Sequence, residues 1–85
     1  MDISKAKSQW REWDERKLSK TFEFDDFVQA MIFVNGVADS AQEQGHHPDI
    51  DIRWNKVVLS TTTHDAGDVI TSKDLELIEH IEKMK

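Results

Sequence analysis

Eighty-five residues are enough for one domain and too few for two, and 17 acidic against 11 basic residues leave a net charge of −6 at pH 7, which repels phosphate backbones and anionic membranes. Direct nucleic-acid binding is not expected, and with no cysteine neither a disulfide frame nor a thiolate metal site can form; a cytoplasmic location fits that composition. No apolar run approaches the roughly 18 residues of a membrane span, and the opening MDISKAKSQW lacks the apolar core of an export signal.

Residues 1–7 offer only Met1, Ile3 and Ala6 as apolar groups, which predicts a weakly docked start. A strand is expected from Ser8 to Trp13, pairing across the polar turn Asp14-Glu15-Arg16-Lys17 with a second from Leu18 to Phe24. In that second strand Leu18, Phe22 and Phe24 share one face, with Lys20 the exception, while Ser19, Thr21 and Glu23 share the other. Asp25 and Asp26 then supply side-chain acceptors and negative charge at the start of a helix that runs to about Gln44. Its expected inward stripe is Phe27, Met31, Val34, Ala38 and Ala41. Val28, Ile32, Phe33 and Val37 lie outside that stripe, so this helix is either the wide core face of a monomer or a contact with another subunit.

Gly45 is suited to end the helix in a left-handed conformation, and Pro48 then stiffens an extended segment carrying His46 and His47. Ile50, Ile52 and Trp54 alternate with polar residues, and after a turn at Asn55-Lys56 a β-branched strand runs from Val57 to His64. There Val57, Leu59, Thr61 and Thr63 point one way, and Val58, Ser60, Thr62 and His64 the other. After a loop over Asp65 to Ile70, Thr71-Ser72-Lys73-Asp74 has the form of a capping box with Asp74 in the usual glutamate position. The helix it opens places Leu75, Ile78 and Ile81 inward, with Leu77 and Met84 beside them. The order strand, strand, helix, strand, strand, helix predicts a single α+β domain, a four-stranded antiparallel sheet with helices packed on one face.

Imidazole exchanges protons near neutral pH, so His46, His47 and His64 together point to proton-transfer chemistry. Adjacent side chains on an extended segment diverge, which suits an acid and a base better than two zinc ligands. No metal site is expected. The competing reading leaves these histidines as a helix end and a polar loop, with a cationic ring favourable near the helix C-terminus. His80, among Glu76, Glu79 and Glu82, is expected on the surface, and Trp10, Trp13 and Trp54 in the core.

At His46-His47-Pro48, Trp54, His64 and Asp74 the chain resembles the pterin-4a-carbinolamine dehydratase family, also described as a dimerisation cofactor of a hepatocyte nuclear factor. The resemblance extends through Trp10, LSKTFEF into DDF, FVNGVA, GHHPDIDIRWNKVVLSTTTHDAG and TSKDLELI, nearly all of the chain from Trp10 onward. It implies loss of water from 4a-hydroxytetrahydropterin to give quinonoid dihydropterin, which recycles the cofactor of aromatic amino acid hydroxylases, with no metal or organic cofactor. By resemblance His46, His47 and His64 take the three active-site histidine positions, Trp10 that of a tryptophan lining the pterin pocket, and Thr62 and Thr63 those of strand residues near the ligand.

The chain departs from that pattern in three places. Gln42 stands where the family usually carries a charged residue, commonly glutamate; the segment before the first strand leaves little room for the helix of longer members; and the loop Asp65 to Ile70 is one residue longer than its commonest form. The implied partners are a pterin substrate and further copies of the chain, as a homodimer or homotetramer. The rival function is a non-catalytic dimerisation or assembly module that binds another protein, and a third is dehydration of a different pterin.

Overall fold

Two antiparallel hairpins lie side by side to make the sheet, joined where their second strands pair. A computed structural model describes residues 1–84, in the order α1 (Ile3–Gln9), β1 (Arg11–Trp13), β2 (Lys17–Glu23), α2 (Phe27–Gln44), β3 (Asp49–Arg53), β4 (Lys56–Thr61), a short 3-10 turn (His64–Ala66) and α3 (Ser72–Met84). The four strands form one antiparallel sheet in the order β1-β2-β4-β3. This is the expected α+β architecture, with one helix more than the sequence suggested. The central pairing runs from Leu18 opposite Thr61 to Glu23 opposite Lys56, which puts Leu18, Phe22, Val57, Leu59 and Thr61 on one face. All five are buried there beneath the helices.

α1 corrects the expectation of a weakly docked start. Asp2 caps it by accepting a hydrogen bond from the Lys5 N–H at 2.8 Å, and Ala6 is fully buried. Its small inward residue lets the helix lie close to the core, so few large apolar side chains are needed to dock it.

Asp26 caps α2 in the same way, accepting from the Gln29 N–H at 2.8 Å. Asp26→Ala is expected to lower stability by about 1 kcal/mol, measured as a shift in the urea midpoint, because that N–H would lose its partner at the helix end. The inward stripe of α2 differs from the expected one. Ala30, Phe33, Val34, Val37 and Ala41 are buried, whereas Phe27 and Ala38 are exposed and Met31 is half-buried. Val28 and Ile32 remain open to solvent at 62% and 61% exposure, an apolar flank with no cover among the described residues. In α3, Leu77, Ile78 and Ile81 are fully buried, Leu75 is half-buried, and His80 is exposed.

Lys20, the polar exception on the inward face of β2, reaches Glu82 of α3 at 2.9 Å, and the Trp10 indole N–H donates to the same carboxylate at 3.0 Å. Both polar groups are thereby satisfied beside an aromatic cluster in which Trp10 meets Phe22 edge-on at 5.9 Å and Phe22 meets Phe33 at 4.8 Å. Trp13 and Trp54 are exposed rather than core residues, Trp54 at the tip of the β3–β4 hairpin. Among the described residues no helix is long and apolar enough to cross a membrane.

Candidate functional site

Three chain reversals meet at one end of the sheet. The first is the end of α2, where Gly45 turns left-handed at φ 67° and the His46 N–H bonds back to the Ala41 carbonyl at 3.1 Å. Only a residue without Cβ takes that conformation freely, so Gly45 is what sends His46 and His47 off the helix axis. The second is the exit of β4, where Thr63 bridges to Val69 and His64 opens the 3-10 turn. His64 therefore begins the turn that follows β4, whereas the sequence suggests the last residue of that strand. The third is the N-terminus of α3, which supplies Asp74.

Asp74 ties these reversals together. Its carboxylate is fully buried and accepts hydrogen bonds on both oxygens: His46 Nε2–H at 2.6 Å and Thr61 Oγ1–H at 2.5 Å on Oδ1, Thr63 Oγ1–H at 2.7 Å and the Thr71 N–H at 2.9 Å on Oδ2. Burial pushes this carboxyl upward, but the bonds from His46, Thr61, the Thr71 backbone and Thr63 outweigh it and hold the group below its ordinary value. The bond from the Thr71 N–H is half of the expected capping box, and Thr71 Oγ1 completes the cap by accepting from the Lys73 N–H at 3.3 Å. One side chain thus ends a helix and orients a histidine.

The other two rings have oxygen partners of different kinds. His47 Nε2–H donates to the neutral amide oxygen of Gln42 at 3.0 Å, and His64 Nδ1–H donates to the carboxylate of Asp68 at 2.6 Å. Each imidazole so engages one nitrogen, and no side-chain hydrogen bond among the described residues takes up Nδ1 of His46 or His47 or Nε2 of His64. All three line a single recess of about 220 Å³, together with Gly45, Thr62, Thr63, Asp65 and Lys73. Ligand pockets usually run from about 300 to 1,000 Å³, so this one suits a small ligand better than a large cofactor. Among the described residues no group of three His, Cys, Asp or Glu side chains is placed to hold a metal ion.

Of the residues singled out in the sequence, His46, His47, His64, Thr62 and Thr63 come together at this recess. Trp10 does not. It is 2% exposed, packs on Phe22 and bonds to Glu82. No motif in the sequence marks Asp68 or Lys73 as belonging here, and Asp74 is marked there only as a cap and a point of resemblance. One signal for Asp74 was available: Thr61 and Thr63 fall on the inward face of an otherwise apolar strand, and buried hydroxyls there require a buried acceptor.

Comparison with known proteins follows this geometry. The family described as Pterin 4 alpha carbinolamine dehydratase matches residues 2–84. A relative from Gloeobacter violaceus, provisionally named a pterin-4-alpha-carbinolamine dehydratase, is 60% identical over 60 residues, which cover 71% of this chain and 64% of its own length. Another with the same provisional name, from Acidobacterium capsulatum, is 52% identical over 68 residues, covering 80% of this chain and 73% of its own. In fold, the chain is similar to a transcriptional coactivator/pterin dehydratase from Brucella melitensis, with a TM-score of 0.83 at 22% identity over 98% of this chain and 95% of that one. It is also similar to a pterin dehydratase-like protein described as a RuBisCO assembly factor in the alpha-carboxysome, with a TM-score of 0.73 at 22% identity over 88% and 87% of the two chains.

Proposed function

We propose that this chain, which belongs to the pterin 4 alpha carbinolamine dehydratase family, removes water from a 4a-hydroxytetrahydropterin. The observation that carries the reading is the shared recess, in which three imidazoles each keep one ring nitrogen for a substrate. One ring protonates the 4a-hydroxyl as its C–O bond breaks. Another accepts the proton from the neighbouring ring nitrogen as the C=N bond forms, giving quinonoid dihydropterin and water. His46 is assigned as the donor, because the buried Asp74 carboxylate behind it is the natural counter-ion for a ring that carries charge. His47, backed only by the uncharged Gln42 amide, is assigned as the acceptor. Thr62 and Thr63 form the wall between them and His64. Holding the substrate between two positioned rings replaces a solvent encounter with an intramolecular one, and no stronger electrophile is required.

The test is turnover. With 4a-hydroxytetrahydropterin generated in place, catalytic amounts of protein are expected to hasten appearance of the quinonoid product, followed by absorbance, well above the rate in buffer. A rate equal to buffer for every reduced pterin tried, biopterin-like or not, would overturn the reading. Differences among those pterins would identify the substrate.

The open flank of α2 favours a second role in assembly. We assign Val28 and Ile32 to contact with a second copy of the chain, in a homodimer or homotetramer. Sedimentation is expected to give a multiple of the 9.9 kDa monomer, and Ile32→Asp to shift it toward that monomer. An oligomer without pterin turnover or binding would indicate an assembly module of this fold.

A further inference from the structure

The loop after β4 contains a side chain whose conformation fold stability does not explain. Gly67 and Asp68 are both left-handed, at φ 89° and 59°, and the Asp68 N–H returns to the Thr63 carbonyl at 3.1 Å. Glycine takes such a φ without steric cost, whereas aspartate at position 68 carries a Cβ against the backbone. What the carboxylate gains is the bond from His64 Nδ1–H at 2.6 Å, between side chains that are 70% and 58% exposed. A pair so open to water adds little stability. Backbone energetics therefore favour glycine here, and the surface pair does not offset the preference.

We infer that Asp68 is a positioning residue for His64: it fixes the ring as the Nδ1–H tautomer and holds it so that the Nε2 lone pair faces the recess. The His64 side chain is 70% exposed, and Asp68 is its one side-chain hydrogen-bond partner among the described residues. The other ionisable groups around the recess are His46, His47, Asp65 and Lys73, and the ring bonds to none of them. A fixed Nε2 acceptor can take a hydrogen bond from an N–H on the edge of a flat heterocycle and so set its orientation between His46 and His47. The strained φ is retained because the position must bear a carboxylate.

For its activity arm this inference rests on the dehydratase reading, so the test also has arms that do not need turnover. Asp68→Gly relieves the backbone and removes the carboxylate, while Asp68→Asn keeps an oxygen acceptor of the same shape. Asp68→Gly is expected to melt at or above the wild-type temperature, to lower kcat about 10- to 100-fold with KM nearly unchanged, and to lose the Nδ1–H signature of His64 in ¹⁵N-detected imidazole NMR. Asp68→Asn is expected to restore most of the rate and the Nδ1–H tautomer. A His64 tautomer unchanged in Asp68→Gly overturns the inference whether or not the protein turns over a pterin. So does a kcat within twofold of wild type. Should wild type itself lack turnover, the dehydratase reading fails separately, and the tautomer alone decides the role of Asp68.

Discussion

Asp74→Ala is expected to destabilise the protein by about 3 to 5 kcal/mol and to remove pterin turnover with it. The substitution leaves two threonine hydroxyls, a backbone N–H and an imidazole facing a buried void, since His46, Thr61, Thr63 and Thr71 all donate to this carboxylate. It also deletes half of the α3 cap. Urea denaturation measures the first effect. The pH dependence separates charge from shape. Folding holds the Asp74 carboxyl below its ordinary value of 3.8, so the folded protein binds this proton less readily than the unfolded chain does. Its contribution is complete above 3.8 and is lost as pH falls through the lower, folded value. Wild type is expected to lose stability as pH falls below 3.8, and Asp74→Asn to have a shallower slope there. Equal slopes would show that Asp74 does not contribute through its charge.

His47→Ala is the complementary case, a large loss of rate with little loss of stability. The ring is exposed, and its one side-chain hydrogen bond among the described residues is to Gln42, so its removal leaves no buried group unpaired. If His47 accepts the ring proton, dehydration should slow by roughly 10² to 10⁴, the usual range for a lost general base. The urea midpoint should hardly move. His46→Ala should show a comparable loss of rate and, in addition, lowered stability, because it strips a partner from a buried carboxylate. Undiminished turnover in the His46→Ala, His47→Ala double variant would remove these rings from the mechanism.

Much of the fold was legible because local rules and tertiary packing agree. The alternation of Leu18 and Phe22, the cap at Asp26 and the left-handed Gly45 each specify one outcome, and each is found. α2 was harder to orient. Its first half is apolar on several sides, so periodicity alone could not choose between the stripe of Phe27 and the stripe of Phe33 and Val37 that is buried. α1 was missed because it docks through the small Ala6, a residue with little weight in a hydrophobic pattern. At the site, the three histidines could be read from residue type and resemblance. Their partners could not, because Asp74 and Asp68 meet them only through reversals that sequence spacing does not display. The contacts of Trp10 with Phe22 and Glu82 were hidden in the same way, since both partners lie on other elements.

Because the carboxylate that closes the first turn of α3 also grips His46, fraying of that turn and disarray of the recess are a single event. Helix ends are ordinarily the first places where a protein breathes, and in the proposed dehydration such breathing would release the ring assigned as proton donor. Amide exchange at Leu75 and its neighbours should therefore report on the competent fraction of molecules, and conditions that loosen this corner should silence the protein well before the sheet melts.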